Sequence, residues 1–116
     1  MTETIDRAAL QARLTRNPQP ILVEALPASH FEQAHLPGAL NIPHDSVDAL
    51  AARLLPDKNA EIIVYCASKT CRNSDFVAQR LAALGYSRVR TYPGGKADWI
   101  EAGFATERGP GARSAA

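Results

Sequence analysis

Four consecutive residues, Ile62-Ile63-Val64-Tyr65, constrain this chain more than any others. They form a continuous apolar run, rich in β-branched side chains and bounded by polar residues. A strand with one wet face alternates apolar and polar side chains. A continuous run predicts a central strand of a parallel sheet, buried on both faces.

The flanking sequence supplies the rest of such a sheet. Asp6 is placed to cap a first helix with Ala9, Leu10 and Leu14 inward, ending before Asn17-Pro18-Gln19-Pro20. Ile21-Leu22-Val23 reads as a short strand closed by Pro27, and residues 28–34 as a short helix with Ser29 near its start. His35-Leu36-Pro37-Gly38 is a turn. Ala39-Leu40-Asn41-Ile42 is a short strand closed by Pro43. From Asp45 or Ser46, the positions Val47, Leu50, Ala51 and Leu54 make one helical stripe. A further helix is capped by Asn73 or Ser74, carries Asp75 in its first turn, buries Val77, Leu81 and Leu84, and stops at Gly85. Val89 and Tyr92 mark a last strand. Pro93-Gly94-Gly95 then turns into a short helix bearing Trp99 and Ile100, with Trp99 expected in the core and its indole N–H satisfied.

Strands alternating with helices predict an α/β fold, a parallel sheet covered on both faces. A length of 116 residues suits one domain, expected over residues 1–106, with residues 107–116 as a flexible tail. Apolar residues make up 46% and charged residues 22%, ordinary for a globular protein. The formal net charge of +1 provides no global field toward nucleic acid or an anionic membrane. Met1-Thr2-Glu3-Thr4-Ile5-Asp6 lacks the basic and apolar segments of a signal peptide. No apolar run approaches the ~20 residues that span a bilayer, so a cytoplasmic address is the default expectation.

Ligands of parallel α/β sheets collect beyond the carboxyl ends of the strands, and Cys66 stands there. The helix starting near Asn73 points free N–H groups back at the loop, which favours negative charge. Ala67, Ser68, Lys69, Thr70, Cys71 and Arg72 are the candidate substrate-binding residues. Lys69 and Arg72 are cations, and no acid lies between Cys66 and Asn73. These features predict a thiol that ionises below a free cysteine's ~8.5, beside an anion pocket suited to sulfur transfer or attack on an oxyanion. The plain alternatives are a small apolar core residue for Cys66 and solvated loop charge for Lys69 and Arg72.

Cys71 lies five positions from Cys66. A disulfide between them would close a tiny loop and contribute little as a structural staple. Cys71 is therefore a candidate redox partner, resolving an oxidised or persulfidated Cys66, or else a loop residue with no partner. His35, with Pro37-Gly38, reads as turn architecture, and His30 and His44 as surface residues. Three scattered histidines carry no metal-ligand spacing.

His35-Leu36-Pro37-Gly38-Ala39-Leu40-Asn41-Ile42-Pro43 resembles the first rhodanese signature. Val64-Tyr65-Cys66 resembles the strand that delivers the rhodanese nucleophile. Tyr92-Pro93-Gly94-Gly95, with Trp99 and Ala102-Gly103-Phe104, resembles the last signature. The resemblance implies a rhodanese-like fold, a parallel five-stranded sheet flanked by helices on both faces. It also implies a Cys66 persulfide, formed from a small anionic donor such as thiosulfate and passed to cyanide, another thiol or a protein acceptor, with no cofactor or metal. The chain departs from the pattern at three places. Cys71 stands where the familiar loop has arginine, and Arg72 follows one position later. The segment from Cys66 to the helix-ending Gly85 is two residues longer than in the common form. Cys66 with Arg72 matches the longer spacing of fold relatives that act on phosphate or arsenate, so a phosphatase or arsenate reductase is the first rival reading. Tyr65 does not match the histidine that the cell-cycle phosphatases usually have there. A non-enzymatic redox-sensing or partner-binding module is the second rival. Finally, Val23-Glu24-Ala25-Leu26 stands where rhodaneses usually show Asp and Arg, which implies an altered structural ion pair.

Overall fold

A computed structural model describes residues 3–16 and 18–109. The remaining residues of the expected tail, 110–116, lie outside it. Five strands form one sheet: β1 (Glu3–Thr4), β2 (Ile21–Glu24), β3 (Leu40–Asn41), β4 (Ile62–Tyr65) and β5 (Val89–Tyr92). Their order is β1-β5-β4-β2-β3, and every pairing is parallel. β4 is the central strand and all four of its residues are buried, as its unbroken apolar run requires. Five helices connect the strands: α1 (Arg7–Leu14), α2 (Ala28–Gln33), α3 (Val47–Leu54), α4 (Asn73–Ala83) and α5 (Gly95–Glu101).

The period of two along each strand sorts the core into two clusters. Val23, Ile62, Val64 and Cys66 pack with Val47 and Ala51 of α3 and with Val77, Ala78 and Leu81 of α4. Leu22, Ile63, Tyr65 and Tyr92 pack on the other side with Leu10 of α1, Phe31 of α2 and Trp99 of α5. The register aligns Glu24 with Tyr65 and Tyr65 with Tyr92. These three side chains therefore share the second face at the carboxyl edge of the sheet.

Several local details depart from expectation. β1 has no counterpart in the sequence reading. Both its residues are exposed and polar, so they show no burial pattern; Ile5 N–H to the Thr91 carbonyl (2.9 Å) and an Arg90–Glu3 ion pair (3.0 Å) hold them to β5. Asp6 does cap α1, accepting from the Ala9 N–H at 2.8 Å, but Ala9 itself is exposed. Neither Asn73 nor Ser74 caps α4. Arg72 occupies the cap position without a side-chain bond, since a guanidinium offers no acceptor, and Ser74, inside the helix, accepts from the Cys66 thiol instead. Gly85 ends that helix with φ +103°, and the Trp99 indole donates to the Ala105 carbonyl at 2.8 Å.

The chain does not loosen at residue 107. Glu107 and His35 exchange backbone hydrogen bonds of 2.9 and 2.8 Å, and the Gly109 N–H donates to the Glu32 carbonyl. His35 is fully buried, stacked on Phe31 with ring centroids 3.8 Å apart, and its Nδ1 lies 2.8 Å from the Phe31 carbonyl. His30 and His44 are exposed. Among the described residues no helix is long and apolar enough to cross a membrane.

Candidate active site

Cys66 leaves the carboxyl end of β4 with its side chain on the α3/α4 face, and only 2% of the residue is exposed. The loop that follows is drawn into a turn by the Cys71 N–H, which donates to the Ser68 carbonyl at 3.0 Å. The Ser68 and Thr70 hydroxyls lie 3.0 Å apart along its rim. The N–H groups of Ala67, Ser68, Lys69, Thr70 and Arg72 have no acceptor among the described residues. Successive N–H groups in a curved loop make a concavity that favours an anion.

The thiol proton has two acceptors, the Cys71 carbonyl and the Ser74 hydroxyl, each 3.4 Å from Sγ. Burial pushes the Cys66 thiol up from its ordinary value, and the Cys71 side chain adds to the rise. The Ser74 hydroxyl and backbone N–H pull it the other way, but do not prevail. This direction runs against the depressed thiol that the sequence predicts: burial is the largest cause, and the loop cations do not offset it. Lys69 is exposed. The Arg72 side chain is 88% exposed and lies 3.8 Å from Asp75, an acid in the first turn of α4. The candidate residues thus separate into two groups. Cys66, Cys71 and the loop backbone come together, while the charged ends of Lys69 and Arg72 stay in solvent.

The underside of the loop rests on α5. Lys96 and Ala97 donate their backbone N–H groups to the carbonyls of Cys66 and Ala67, both at 2.8 Å. Gly95 makes this approach feasible. Its φ is +66°, and a Cβ there would fall 2.5 Å from the Cys66 carbonyl oxygen. Only glycine tolerates both demands.

Beneath that contact lies a buried ionic group that the sequence reading did not assemble. The Lys96 ammonium donates to Glu24 Oε2 (2.9 Å) and to the carbonyls of His30 (3.0 Å) and Ala34 (2.6 Å). Tyr65 donates its hydroxyl to Glu24 Oε1 at 2.7 Å and accepts from the Leu36 N–H at 3.0 Å. Burial raises the Tyr65 phenol above its ordinary value, with the Glu24 charge adding to it. Glu24–Lys96 is a buried ion pair, and it includes the segment Val23-Glu24-Ala25-Leu26 whose departure from the family pattern implies an altered one. The readable signal was Glu24 itself, a carboxylate inside Leu22-Val23-Glu24-Ala25-Leu26, since a buried charge requires a partner.

No three His, Cys, Asp or Glu side chains gather around a potential metal position among the described residues. A groove of about 560 Å³ lies at the opposite, amino-terminal edge of the sheet, between Glu61, Arg88 and Arg90, and takes in none of the loop residues.

A family model for the rhodanese-like domain matches residues 6–102. The chain belongs to the rhodanese-like family. The rhodanese domain is 34% identical over 99 residues to the thiosulfate:glutathione sulfurtransferase of Saccharomyces cerevisiae, covering 75% of this chain and 69% of the yeast protein. It is 36% identical over 64 residues to the Escherichia coli thiosulfate sulfurtransferase PspE, covering 55% of this chain and 60% of PspE. The crystal structure of the BH2092 protein from Bacillus halodurans superimposes with a TM-score of 0.84 at 27% identity, covering 97% of this chain and 81% of that one. The yeast and Escherichia coli relatives are both sulfurtransferases, and the fold shared with BH2092 is the five-stranded parallel sheet described above.

Proposed function

We propose that this rhodanese domain transfers sulfane sulfur from a small anionic donor such as thiosulfate to a thiophilic acceptor through a persulfide on Cys66. The observation that carries the reading is one cysteine at the carboxyl end of the central strand, followed at once by a turn whose N–H groups at residues 67–70 and 72 have no acceptor among the described residues. The Cys66 thiolate attacks the outer sulfur of thiosulfate. A sulfur–sulfur bond forms on Cys66, the bond to the sulfonate group breaks with its electron pair, and sulfite leaves. The N–H groups of residues 67–70 and 72 receive the anionic donor and then the persulfide's terminal sulfur. Lys69 and Arg72 act from the rim as solvated charge that draws the donor in. An acceptor thiol, cyanide or a protein thiol then attacks the terminal sulfur and restores Cys66.

The named activities of the yeast and Escherichia coli relatives support thiosulfate as donor, and the yeast name supports a thiol acceptor. The rival phosphatase or arsenate reductase requires Arg72 inside the loop, and that side chain is almost wholly exposed. Intact-mass analysis after exposure to thiosulfate tests the proposal. The Cys71→Ser chain, in which Cys66 is the remaining thiol, gains one sulfur and Cys66→Ser gains none. An unchanged mass in Cys71→Ser, or the same gain in Cys66→Ser, overturns it.

A further inference from the structure

Cys71 stands close to the nucleophile without belonging to the transfer reaction. Its carbonyl oxygen is 3.4 Å from Cys66 Sγ, so its α-carbon lies two covalent bonds behind an atom already touching that sulfur. The 68–71 turn brings it there. Its side chain is half-buried and packs against the same apolar cluster that contains Cys66. Both thiols are free. The two side chains also sense each other electrostatically, since Cys71 opposes ionisation of Cys66.

We infer that Cys71 resolves the Cys66 persulfide from within the loop, expelling the sulfane sulfur as hydrogen sulfide and leaving a Cys66–Cys71 disulfide. This rests on the persulfide of the proposed function. The Cys71 thiolate attacks Cys66 Sγ, the inner sulfur. A bond forms between the two cysteine sulfurs, and the bond from Cys66 Sγ to the terminal sulfur breaks. The terminal sulfur takes the electron pair and, with the proton from Cys71, leaves as hydrogen sulfide. The sulfane sulfur is reduced by two electrons and the two thiol sulfurs are oxidised by two, so no external oxidant enters. A low-molecular-weight dithiol or two monothiols then reduce the disulfide and return the loop to its starting state.

Proximity favours the inner sulfur, because Cys71 touches Sγ itself through its carbonyl oxygen, and the unpaired N–H groups of residues 67–70 lie in the loop between the two cysteines. The same N–H groups stabilise the departing hydrosulfide. A disulfide needs Cα atoms roughly 4.4–6.8 Å apart, and the loop's single internal backbone bond, Cys71 to Ser68, leaves it free to adjust. The domain thereby gains a second outcome. When an acceptor is present, sulfur is transferred. When it is absent, sulfur is released as sulfide and the loop is locked.

The full chain, Cys71→Ser and Cys71→Ala are reduced, freed of thiol, and exposed to thiosulfate without acceptor and without oxygen. Wild type is expected to release about one sulfide per chain and to weigh two hydrogens less than the reduced protein, with the bridge mapping to Cys66 and Cys71. Both variants are expected to keep one added sulfur, with sulfide release slowed at least about tenfold. A wild-type chain that keeps its sulfur as the variants do overturns the inference and leaves the transfer reading standing. Variants that gain no sulfur overturn that reading, and the inference with it.

Discussion

The two faces of the sheet solve different problems with different materials. The α3/α4 face, which carries Cys66, is built of Val, Ile, Leu and Ala side chains, with Tyr86 donating its hydroxyl to the Leu55 carbonyl at 2.6 Å. The opposite face is apolar at its centre, but at its carboxyl edge it holds Glu24, Tyr65 and Lys96 in one hydrogen-bonded group. The Cys66 sulfur emerges on the dry face, where burial disfavours its charged form. The ionic group sits across the sheet and never touches sulfur. It fixes α5, whose N–H groups hold the carbonyls of Cys66 and Ala67. Reactivity is thus governed on one face and position on the other.

If that contrast is right, removing half of the ion pair does more damage than emptying part of the apolar core. Lys96→Met leaves the fully buried Glu24 carboxylate without its cation, a change that costs about 3–5 kcal/mol when a buried pair is broken. Leu81→Ala on the other face opens a cavity at a cost of about 2–5 kcal/mol, lower in that range because exposed Ala82 and half-buried Leu84 leave the helix surface room to relax. The kinetic readouts separate more sharply. Lys96→Met lowers kcat by loosening the loop, whereas Leu81→Ala leaves kcat nearly unchanged in the folded fraction. Urea unfolding and thiosulfate turnover check both, and Glu24→Gln combined with Lys96→Met recovers part of the lost stability by removing the orphaned charge. Equal kinetic losses from Lys96→Met and Leu81→Ala would erase the division of labour.

The faces also differed in how far the sequence revealed them. Ile62-Ile63-Val64-Tyr65, the stripe Val47, Leu50, Ala51 and Leu54, and the stripe Val77, Leu81 and Leu84 each announce burial through local period; the strand, Val47, Ala51, Val77 and Leu81 are buried, while Leu50, Leu54 and Leu84 are half-buried at the edges of their stripes. Cys66 follows from the same logic, as the first residue past the strand. The ionic group has no local period. Glu24 and Lys96 are 72 positions apart and Glu24 and Tyr65 are 41 apart, so the sheet register and the α5 turn must exist before the group does. The error over the thiol's ionisation has a similar origin. Counting Lys69 and Arg72 in the loop says how much charge is nearby, but not which way flexible side chains point. Ser74 was read as a helix cap because its hydroxyl suits that position; only the close approach of Cys66 shows the other use.

The dry face makes a prediction in pH. Alkylation follows the thiolate, and burial raises the Cys66 thiol from its ordinary value. In a Cys71→Ser background, which leaves one thiol, the alkylation rate should therefore still be rising past the ionisation range of a free cysteine. Ser74 supplies the opposing influence through its hydroxyl and N–H. Ser74→Ala removes the hydroxyl alone and should move the midpoint further up by about one pH unit, the scale of one hydrogen bond to a charged sulfur. A midpoint below that of free cysteine in the Cys71→Ser background would mean that the loop, rather than the dry face, governs the sulfur.

The smallest effect is expected at Arg72, and it sharpens the contrast from outside both faces. Its guanidinium is 88% exposed and 3.8 Å from Asp75 in the first turn of α4. An exposed cation beside an acid contributes little net field, and salt screens what is left. If the N–H groups of the loop bind the donor, Arg72→Ala should raise KM for thiosulfate by no more than about threefold, the scale of an exposed charge contact. It should leave kcat unchanged, as loss of uniform binding does. The effect should shrink as ionic strength rises, because it acts through solvent. Asp75→Asn should do the reverse, lowering KM slightly by freeing the arginine. Steady-state kinetics of both variants at low and high salt check this. A drop in kcat of tenfold or more in Arg72→Ala would place the guanidinium on the reacting sulfur. The loop would then close over its substrate by a rotation of Arg72, and charge would govern the dry face after all.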